Sequence, residues 1–191
     1  MASIKGTRTE KNLLASFAGE SQARNRYNYF AGIADKEGYP TIGAIFNETA
    51  EQERLHAKNM FKFFEGGMVE ITASYPAGIL GTTVKNLEAA AAGEHEEHTI
   101  VYPGFADVAK AEGFPEVAGM YRAIAKAEAF HERRYHALLE QLVNETLFRR
   151  TAPVAWKCTK CGYLTEGTTA PAACPACKHP QHYFIALDQT W

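Results

Sequence analysis

From Thr7 to about Arg149, apolar residues recur at intervals of three and four, the spacing typical of amphipathic helices. Four long helices describe this segment. The first begins with a capping box at residues 7–10 and is predicted to end at residues 38–40, where the sequence is Gly-Tyr-Pro. The others are predicted over residues 41–65, 82–112 and 115–148, each bounded by glycine or proline.

The connection between the second and third helices, residues 68–81, is long and contains Pro76 and Gly78. It is long enough to cross from one end of a helix bundle to the other. After Pro153 the composition changes to Gly, Pro, Thr, Cys and aromatic residues. We therefore predict a mainly α protein, with a four-helix bundle over residues 1–149 and a small second domain over residues 153–191.

The helical segment repeats itself at an offset of 75 residues, which shows how a site could be built from two halves. Ten residues recur in one register: Tyr27, Phe30, Ala31, Ala34, Glu37, Gly38, Pro40, Ala50, Glu53 and His56 match Tyr102, Phe105, Ala106, Ala109, Glu112, Gly113, Pro115, Ala125, Glu128 and His131. Upstream of the tyrosines the offset becomes 74, because Gly19-Glu20 matches Gly93-Glu94. The third helix therefore holds one extra residue, and we predict a π-bulge or kink between Glu94 and Pro103 to absorb it.

Composition and charge exclude several function classes. Hydrophobic residues make up 46% of the chain and charged residues 22%, an ordinary globular balance. Twenty Lys and Arg against 22 Asp and Glu give no strong field for nucleic acid or an anionic membrane. No stretch reaches the roughly 18 apolar residues of a membrane span, and no apolar run follows the N-terminal charges, so we expect a soluble, cytoplasmic protein that binds neither.

Each half of the repeat offers one glutamate on its first helix, Glu20 or Glu94. Its second helix offers Glu-x-x-His, as Glu53 with His56 or Glu128 with His131. Residues i and i+3 share a helix face, and inward glutamates with Glu-x-x-His pairs are the ligand set of a two-metal site in a bundle. Unpaired buried carboxylates would be costly, and two divalent cations would neutralise them. This ligand set suits iron or manganese better than structural zinc.

Other residues near this set carry weaker signals. Glu97 lies one helical turn beyond Glu94 and has no acidic counterpart in the first half, which suggests a ligand that joins or leaves one metal. Tyr27 and Tyr102 are placed to hydrogen-bond the ligand carboxylates. Residues 95–98 read His-Glu-Glu-His, one residue short of a zinc-protease motif, so a protease is not indicated. We expect the histidines at 95, 98 and 136 to be exposed or satisfied by ordinary contacts.

All four cysteines fall in the second domain, as Cys158 with Cys161 and Cys174 with Cys177. Two Cys-x-x-Cys pairs can bring four thiolates to the corners of a tetrahedron. So short a segment cannot bury much core, so a metal must hold it together. Five aromatic residues are expected to help: Trp156, Tyr163, Tyr183, Phe184 and Trp191. Spacing alone leaves zinc and mononuclear iron open, and a redox-active two-metal site in the same chain favours iron.

These motifs resemble the rubrerythrin family over the whole chain. The segment Gly-Glu-Ser-Gln-Ala-Arg-Asn-Arg-Tyr at residues 19–27, the pairs Glu53-x-x-His56, Glu94-x-x-Glu97 and Glu128-x-x-His131, and both cysteine pairs stand where that family has them. The resemblance implies a ferritin-like bundle with a non-haem di-iron site and a rubredoxin-like domain with one iron on four thiolates. One departure from free rubredoxins is Lys178, where those proteins usually carry glycine.

The resemblance also implies a peroxidase that reduces hydrogen peroxide to water. Glu53 and Glu128 would bridge the metals, and Glu20, Glu94 and His131 would be terminal ligands. His56 and Glu97 would exchange on one iron between its redox states. Electrons would come from a donor such as rubredoxin or an NAD(P)H-dependent reductase. Ferroxidase or iron-storage activity, oxygen reduction, an oxygenase with an organic substrate and a zinc-ribbon interaction protein are the alternatives.

Helix geometry adds an expectation about assembly. His131 and the helix end near Thr146 are fifteen residues apart, or roughly 22 Å along the axis, which points the second domain away from its own di-iron site. We therefore expect a homodimer with head-to-tail pairing, in which the cysteine site of one subunit serves the di-iron site of the other.

Overall fold

The computed structural model of the chain describes residues 3–189. Trp191, which we expected to help the small domain, lies outside these residues. The helices are α1 (Arg8–Lys36), α2 (Pro40–Phe61), α3 (Thr83–Glu96), α4 (Tyr102–Ala111) and α5 (Pro115–Val143). A π-helical segment, Glu97–Val101, joins α3 to α4 without a break, so the five helices form four rods. The fold is mainly α, as predicted.

The π-helical segment confirms the bulge predicted from the change of repeat offset. The N–H of Tyr102 donates to the carbonyl of Glu97, five residues back, where an α-helix would use a carbonyl four residues back. Pro103, which has no N–H, follows at once. The extra residue of the second half is thus absorbed immediately after Glu94, at the centre of the bundle.

α1 packs along α2, and α3 and α4 pack along α5. Two apolar cores fill the interior of the bundle. One is centred on Tyr27, Phe30 and Phe46, and the other on Tyr102, Tyr121 and Met60. Buried carboxylates on all four rods lie among these apolar residues. The acids therefore belong to the interior of the bundle.

The observed helix ends differ from the predicted ones in two places. α2 ends at Phe61, several residues before the glycine pair at 66–67, because residues 62–64 form single turns instead. α5 ends at Val143 instead of near Phe148. Glu145 takes the left-handed conformation with φ 53°, a helix-ending geometry that usually marks itself with glycine.

The second part of the chain contains β1 (Arg149–Cys158), β2 (Leu164–Thr169) and β3 (Phe184–Ala186), which form an antiparallel sheet in the order β2-β1-β3. Residues 150–152, between the two predicted domains, belong to β1. Trp156 and Phe184 are fully buried in a small core with Cys158 and Cys174, and Tyr163 packs against it. Phe148 contacts both this core and the bundle, so the two parts pack together.

Candidate metal centres

Six of the predicted ligands meet inside the bundle in two overlapping groups. Donor atoms of Glu20, His56, Glu53 and Glu128 lie within 4.8 Å of one another. Donor atoms of Glu53 and Glu128 also lie within 4.8 Å of those of Glu94 and His131. Glu53 and Glu128 are common to both groups, the position that a bridging carboxylate would take. The remaining four residues form two pairs, each a glutamate with a histidine.

Helix geometry explains why these side chains converge. Glu53 and His56 are three residues apart on α2, and Glu128 and His131 are three apart on α5, so each pair shares one helix face. The ring of His56 lies over that of His131, with centroids 6.2 Å apart. The four glutamates are at most 1% exposed.

Orphaned donor atoms indicate that metal ions fit this group. Among the described residues, each of four glutamates has a buried carboxylate oxygen without a hydrogen-bond partner: Glu20, Glu53, Glu94 and Glu128. The Nδ1 atom of His131 is also buried without such a partner. Nδ1 of His131 lies 2.7 Å from Glu128 Oε2 and 3.3 Å from Glu53 Oε1 without good hydrogen-bond geometry. Lone pairs that crowd a buried point without partners are costly unless a cation binds there. Oxygen donors with one imidazole per ion suit iron or manganese.

In the metal-free protein, some of these carboxylates are neutralised by binding a proton. Burial, reinforced by the nearby Glu53 carboxylate, raises the pKa of Glu20 well above its usual range and raises the pKa of Glu94 to about 8. Glu53 behaves differently. Burial opposes its ionisation, but the imidazoles of His131 and His56 outweigh burial and lower its pKa to about 2. At neutral pH, Glu20 and Glu94 are therefore protonated and Glu53 is charged.

The two imidazoles carry protons for the complementary reason. Burial opposes their protonation, but contacts with Glu128 and Glu53 raise the pKa of His56 to about 10 and that of His131 to about 12. Both rings are therefore cationic in the metal-free protein at neutral pH. These protons occupy the place that metal ions would take, and they must leave when the ions bind.

The two tyrosines donate hydrogen bonds across the halves of the repeat. Tyr27 donates to Glu94, and Tyr102 donates to Glu20 over 2.5 Å. Each tyrosine lies seven or eight residues beyond the glutamate of its own helix, about 10–12 Å along the axis, too far for contact. Because the α1 and α3 rods run antiparallel, each tyrosine reaches the carboxylate of the other half instead.

Gln52 is a functional residue that our sequence reasoning missed. Its side-chain oxygen accepts a hydrogen bond from Nε2 of His131 over 2.9 Å. When a metal displaces the second proton of the ring, this contact would keep a proton on Nε2 and leave the lone pair of Nδ1 for the ion. Ala127 occupies the equivalent position in the second half, so His56 has no such partner. The only available signal was this break in the repeat.

Glu97 lies at the start of the π-helical segment, outside both groups. Burial, reinforced by Glu94 and other nearby carboxylates, raises its pKa well above the usual range. It lines a cavity of about 550 Å³ together with Tyr102, Arg26 and Tyr75 of the crossover. In this structure the group therefore contains His56, and Glu97 stands beside it at the cavity.

The four cysteines form a second centre. The sulfur atoms of Cys158 and Cys177 are 3.7 Å apart, those of Cys161 and Cys174 are 3.6 Å apart, and all four lie within 4.8 Å. A tetrahedron with metal–sulfur bonds of about 2.3 Å has edges of about 3.8 Å, so these thiols fit one ion and are too far apart for disulfides. Cys161 is exposed and Cys177 is half-buried, so one side of this centre faces solvent.

Two knuckles of similar shape hold the sulfur atoms. Gly162 follows the first pair with φ 77°, a left-handed conformation that glycine adopts without strain, and its N–H donates to the Cys158 carbonyl. Lys178 occupies the same place after the second pair, with φ 63° and an N–H donated to the Cys174 carbonyl. Burial opposes ionisation of Cys174, but the N–H groups of Cys177 and Ala176 outweigh burial and lower its pKa to about 7.

A third group of polar side chains was not predicted. His95, His98 and His136, which we expected to be exposed or satisfied, all lie around Glu132 on the outside of the bundle.

The described residues contain no helix apolar and long enough to cross a membrane.

Comparison with known proteins identifies relatives over the whole chain. The family model described as rubrerythrin matches residues 11–139, and the model described as the rubredoxin-like domain of rubrerythrin matches residues 156–185. Rubrerythrin from Porphyromonas gingivalis is 60% identical over 99% of this chain and 94% of its own length. Rubrerythrin from Nitratidesulfovibrio vulgaris is 53% identical over 100% of both chains.

Solved structures agree with these matches. Nigerythrin in its partially reduced state is 26% identical, with a TM-score of 0.63 over 96% of this chain and 91% of its own. The same protein in a fully reduced, all-ferrous state has a TM-score of 0.61 over the same shares. These results confirm the resemblance inferred from the motifs.

Proposed function

Because the chain belongs to the rubrerythrin family, we propose that it is a non-haem di-iron peroxidase that reduces hydrogen peroxide to water. Its carboxylates and histidines form a di-iron site of the ferritin-like type, and its four cysteines form a rubredoxin-like site. The observation that carries the proposal is the juxtaposition of the buried carboxylate and histidine group with a cavity that Glu97 and Tyr102 line.

When loaded with iron, the cysteine site supplies single electrons and the carboxylate site delivers two, which with two protons convert hydrogen peroxide into two water molecules. We assign the di-iron site to Glu20, Glu53, His56, Glu94, Glu128 and His131, with Glu97 as a seventh, exchangeable ligand. The single iron is assigned to Cys158, Cys161, Cys174 and Cys177. Gln52 fixes the orientation of His131.

Two features support an exchange between His56 and Glu97. His56 is the less restrained histidine, because its side chain is 17% exposed against 3% for His131 and it lacks a partner like Gln52. Glu97 stands on the π-helical segment, whose wider turn places an extra carboxylate beside the group. His56 is therefore free to leave its position as a metal ligand, and Glu97 is placed to take that position.

Glu97, Tyr27 and Tyr102 are the residues we assign to proton handling. Glu97 is protonated at neutral pH and borders the cavity, so it can deliver a proton to a small molecule bound there. The hydroxyls of Tyr27 and Tyr102 hold Glu94 and Glu20 and remain protonated, because burial raises the pKa of both well above the usual range. The tyrosines orient the carboxylates without adding charge.

Electron delivery favours a pair of chains. Lys160 and Tyr183 of the small domain lie beside Pro40 at the start of α2. Along α2 the cavities lined by the small domain extend to Glu48, five residues or roughly 8 Å before Glu53, so the cysteine site is offset along the bundle from the di-iron site of its own chain. Electron tunnelling weakens steeply with distance. A head-to-tail homodimer would bring the cysteine site of one chain to the di-iron site of the other.

The crossover supports such a pairing. Met68 and Ile79 are almost fully exposed, and Tyr75 and Leu80 are more than half exposed. Apolar side chains grouped on one exposed segment are typical of surfaces that bind a partner. We propose that a second copy of the chain covers them. A cytoplasmic donor, rubredoxin or an NAD(P)H-dependent reductase, would reach the solvent-facing side of the centre at Cys161.

The peroxidase proposal can be tested by absorption spectroscopy. The purified, iron-loaded protein should show thiolate-to-iron absorption that reductant bleaches. Hydrogen peroxide should restore this absorption faster than oxygen does. The Glu97→Gln variant should slow the restoration by peroxide, and the Glu88→Gln variant, at an exposed position of α3 that does not line the cavity, should not. Faster restoration by oxygen, or equal effects of the two variants, would refute the proposal and favour an oxygen-reducing or ferroxidase function.

Electron delivery between chains can be tested with heterodimers from differently tagged subunits. A dimer of a Cys158→Ser chain and a Glu53→Gln chain should be active, because one chain keeps a cysteine site and the other keeps a di-iron site. The matched control pairs a wild-type chain with a chain that carries both substitutions, and it should be nearly inactive. Delivery within one chain would give the reverse pattern.

A further inference from the structure

A group of three histidines and one glutamate lies on the outer surface of the bundle, apart from both metal centres. We name it the His-Glu cluster; its members are His95, His98, Glu132 and His136. His95 lies in the last turn of α3, three residues before His98, which lies in the π-helical segment. Glu132 and His136 are one turn apart on α5. Two rods therefore present ligand-type side chains to one point.

The contacts within the cluster are short. Nδ1 of His95 lies 2.9 Å from Oε1 of Glu132, and Nε2 of His98 lies 2.5 Å from Oε2. Nε2 of His136 lies 3.5 Å from Oε1. Donor atoms of His95, His98 and Glu132 all lie within 4.8 Å of one another. His98 and Glu132 are about one-fifth exposed, whereas the other two rings are open to solvent.

The cluster contains more imidazoles than an ion pair with Glu132 requires. One carboxylate balances one positive charge, yet three imidazoles surround Glu132. Within the described part of the chain, no lysine or arginine pairs with it. Three neutral imidazoles with one carboxylate instead match the donor preference of borderline divalent ions such as Zn²⁺.

The dimensions of the cluster also match such an ion. Bonds of about 2.0–2.2 Å at tetrahedral angles separate donor atoms by about 3.3–3.6 Å. The imidazole nitrogens lie 2.5 Å, 2.9 Å and 3.5 Å from oxygens of Glu132, within about 1 Å of this range. His136 lies outside the group of donor atoms within 4.8 Å of one another, so its side chain must rotate further to join the ion. The half-buried pair His98 and Glu132 would anchor the ion, and the exposed His95 and His136 would close around it.

We propose that the His-Glu cluster is a third metal site, which binds one divalent transition-metal ion of the zinc class. A bound ion would join the π-helical segment to α5 through His98 and Glu132. This proposal does not depend on the peroxidase activity, because its ligands are separate from those of both iron centres.

The test uses untagged, iron-loaded protein dialysed against increasing Zn²⁺, with zinc and iron per chain measured together. We expect one zinc ion per chain beyond the iron, with the iron retained. His98→Gln should weaken binding by at least about tenfold, since even outer-shell changes at metal sites cost about 10–100-fold. His136→Gln, at an exposed position, should weaken it without disturbing the helix. His182→Gln, a surface histidine of the small domain, should leave zinc binding unchanged.

A second measurement reports the ligands directly. Electron paramagnetic resonance of added Cu²⁺ should show nitrogen couplings from imidazoles, reduced in number in His98→Gln and His136→Gln. Equal zinc binding by wild type and both cluster variants would overturn the proposal. So would zinc uptake matched by iron loss, or a copper spectrum without imidazole nitrogen.

Discussion

Loading the metal-free protein with ferrous iron should release protons in a number that the structure fixes. At pH 7 the raised pKa values leave Glu20 and Glu94 protonated and both His56 and His131 cationic. All four must lose their protons to bind metal. We therefore expect about four protons per pair of ferrous ions from these residues, and one more when Glu97 also binds a metal.

Ordinary pKa values would give a very different count. Exposed glutamates are ionised at pH 7, and two histidines with a pKa of about 6.5 carry together about half a proton. The measurement distinguishes the two cases, because they predict the release of about four protons and of about one-half of a proton per pair of ferrous ions. Because protons compete with the metal, the affinity for ferrous iron should rise steeply with pH, and the rise should become less steep above pH 8, where Glu94 ionises at its pKa of about 8 while His56 and His131 still hold protons.

The assay is anaerobic addition of ferrous iron to metal-free protein in weak buffer, with base uptake recorded at constant pH. The Glu94→Gln variant should release about one proton fewer for the same iron bound. Glu96→Gln, at an exposed position next to the site, should release the wild-type number. Release of fewer than about one proton by the wild type would refute the buried, proton-filled cluster described above.

Three further predictions concern the stability of the protein and of its cysteine site. Tyr27→Phe keeps the packing of the ring and removes the donor to Glu94, so the loaded protein should lose about 1–3 kcal/mol in denaturant unfolding, whereas Tyr29→Phe on the exposed face should cost little. The metal-free protein should become less stable between pH 5 and pH 8. Glu20, Glu94, His56 and His131 hold their protons in the folded state above the pH at which the unfolded chain loses them, so the free energy of unfolding should fall by at least about 1 kcal/mol per pH unit. Thermal melts of chelator-treated protein would check this, and melting points that rise with pH would contradict it. Lys178→Gly removes a side chain from a left-handed position, which should slow thermal bleaching of the cysteine site and stabilise it by about 0.5–1 kcal/mol. Lys178→Ala should bring no such gain, and an equal gain from both variants would argue against backbone strain.

The internal repeat made much of the fold and of the site predictable. A shift of one residue between two halves of a helical repeat must appear as a local defect, and the π-helical segment lies where Glu94 and Pro103 bracket it. The ligand types and their i, i+3 spacing are enough to indicate a shared helix face. Local rules of this kind act within one helix, so a sequence reveals them.

Contacts between helices were harder to predict. That Tyr27 reaches Glu94 follows only from the antiparallel arrangement of their rods. The three histidines around Glu132 come from two segments more than thirty residues apart, and each looked like an ordinary surface residue. The end of α5 at Val143 was missed because Glu145 adopts a left-handed turn without the glycine that usually indicates one.

The departures from the repeat make the two metal positions of the di-iron site different. Gln52 restrains His131, while its counterpart Ala127 leaves His56 unrestrained. The extra residue of the second half sits beside Glu97, on the cavity that Tyr102 also lines. An exact repeat would make two equivalent metal positions, with no reason for either to react first. A restrained position with a buried histidine, next to a looser one with an alternative carboxylate and an open cavity, would instead let one ion stay fixed while the other changed its ligand, as we propose for His56 and Glu97.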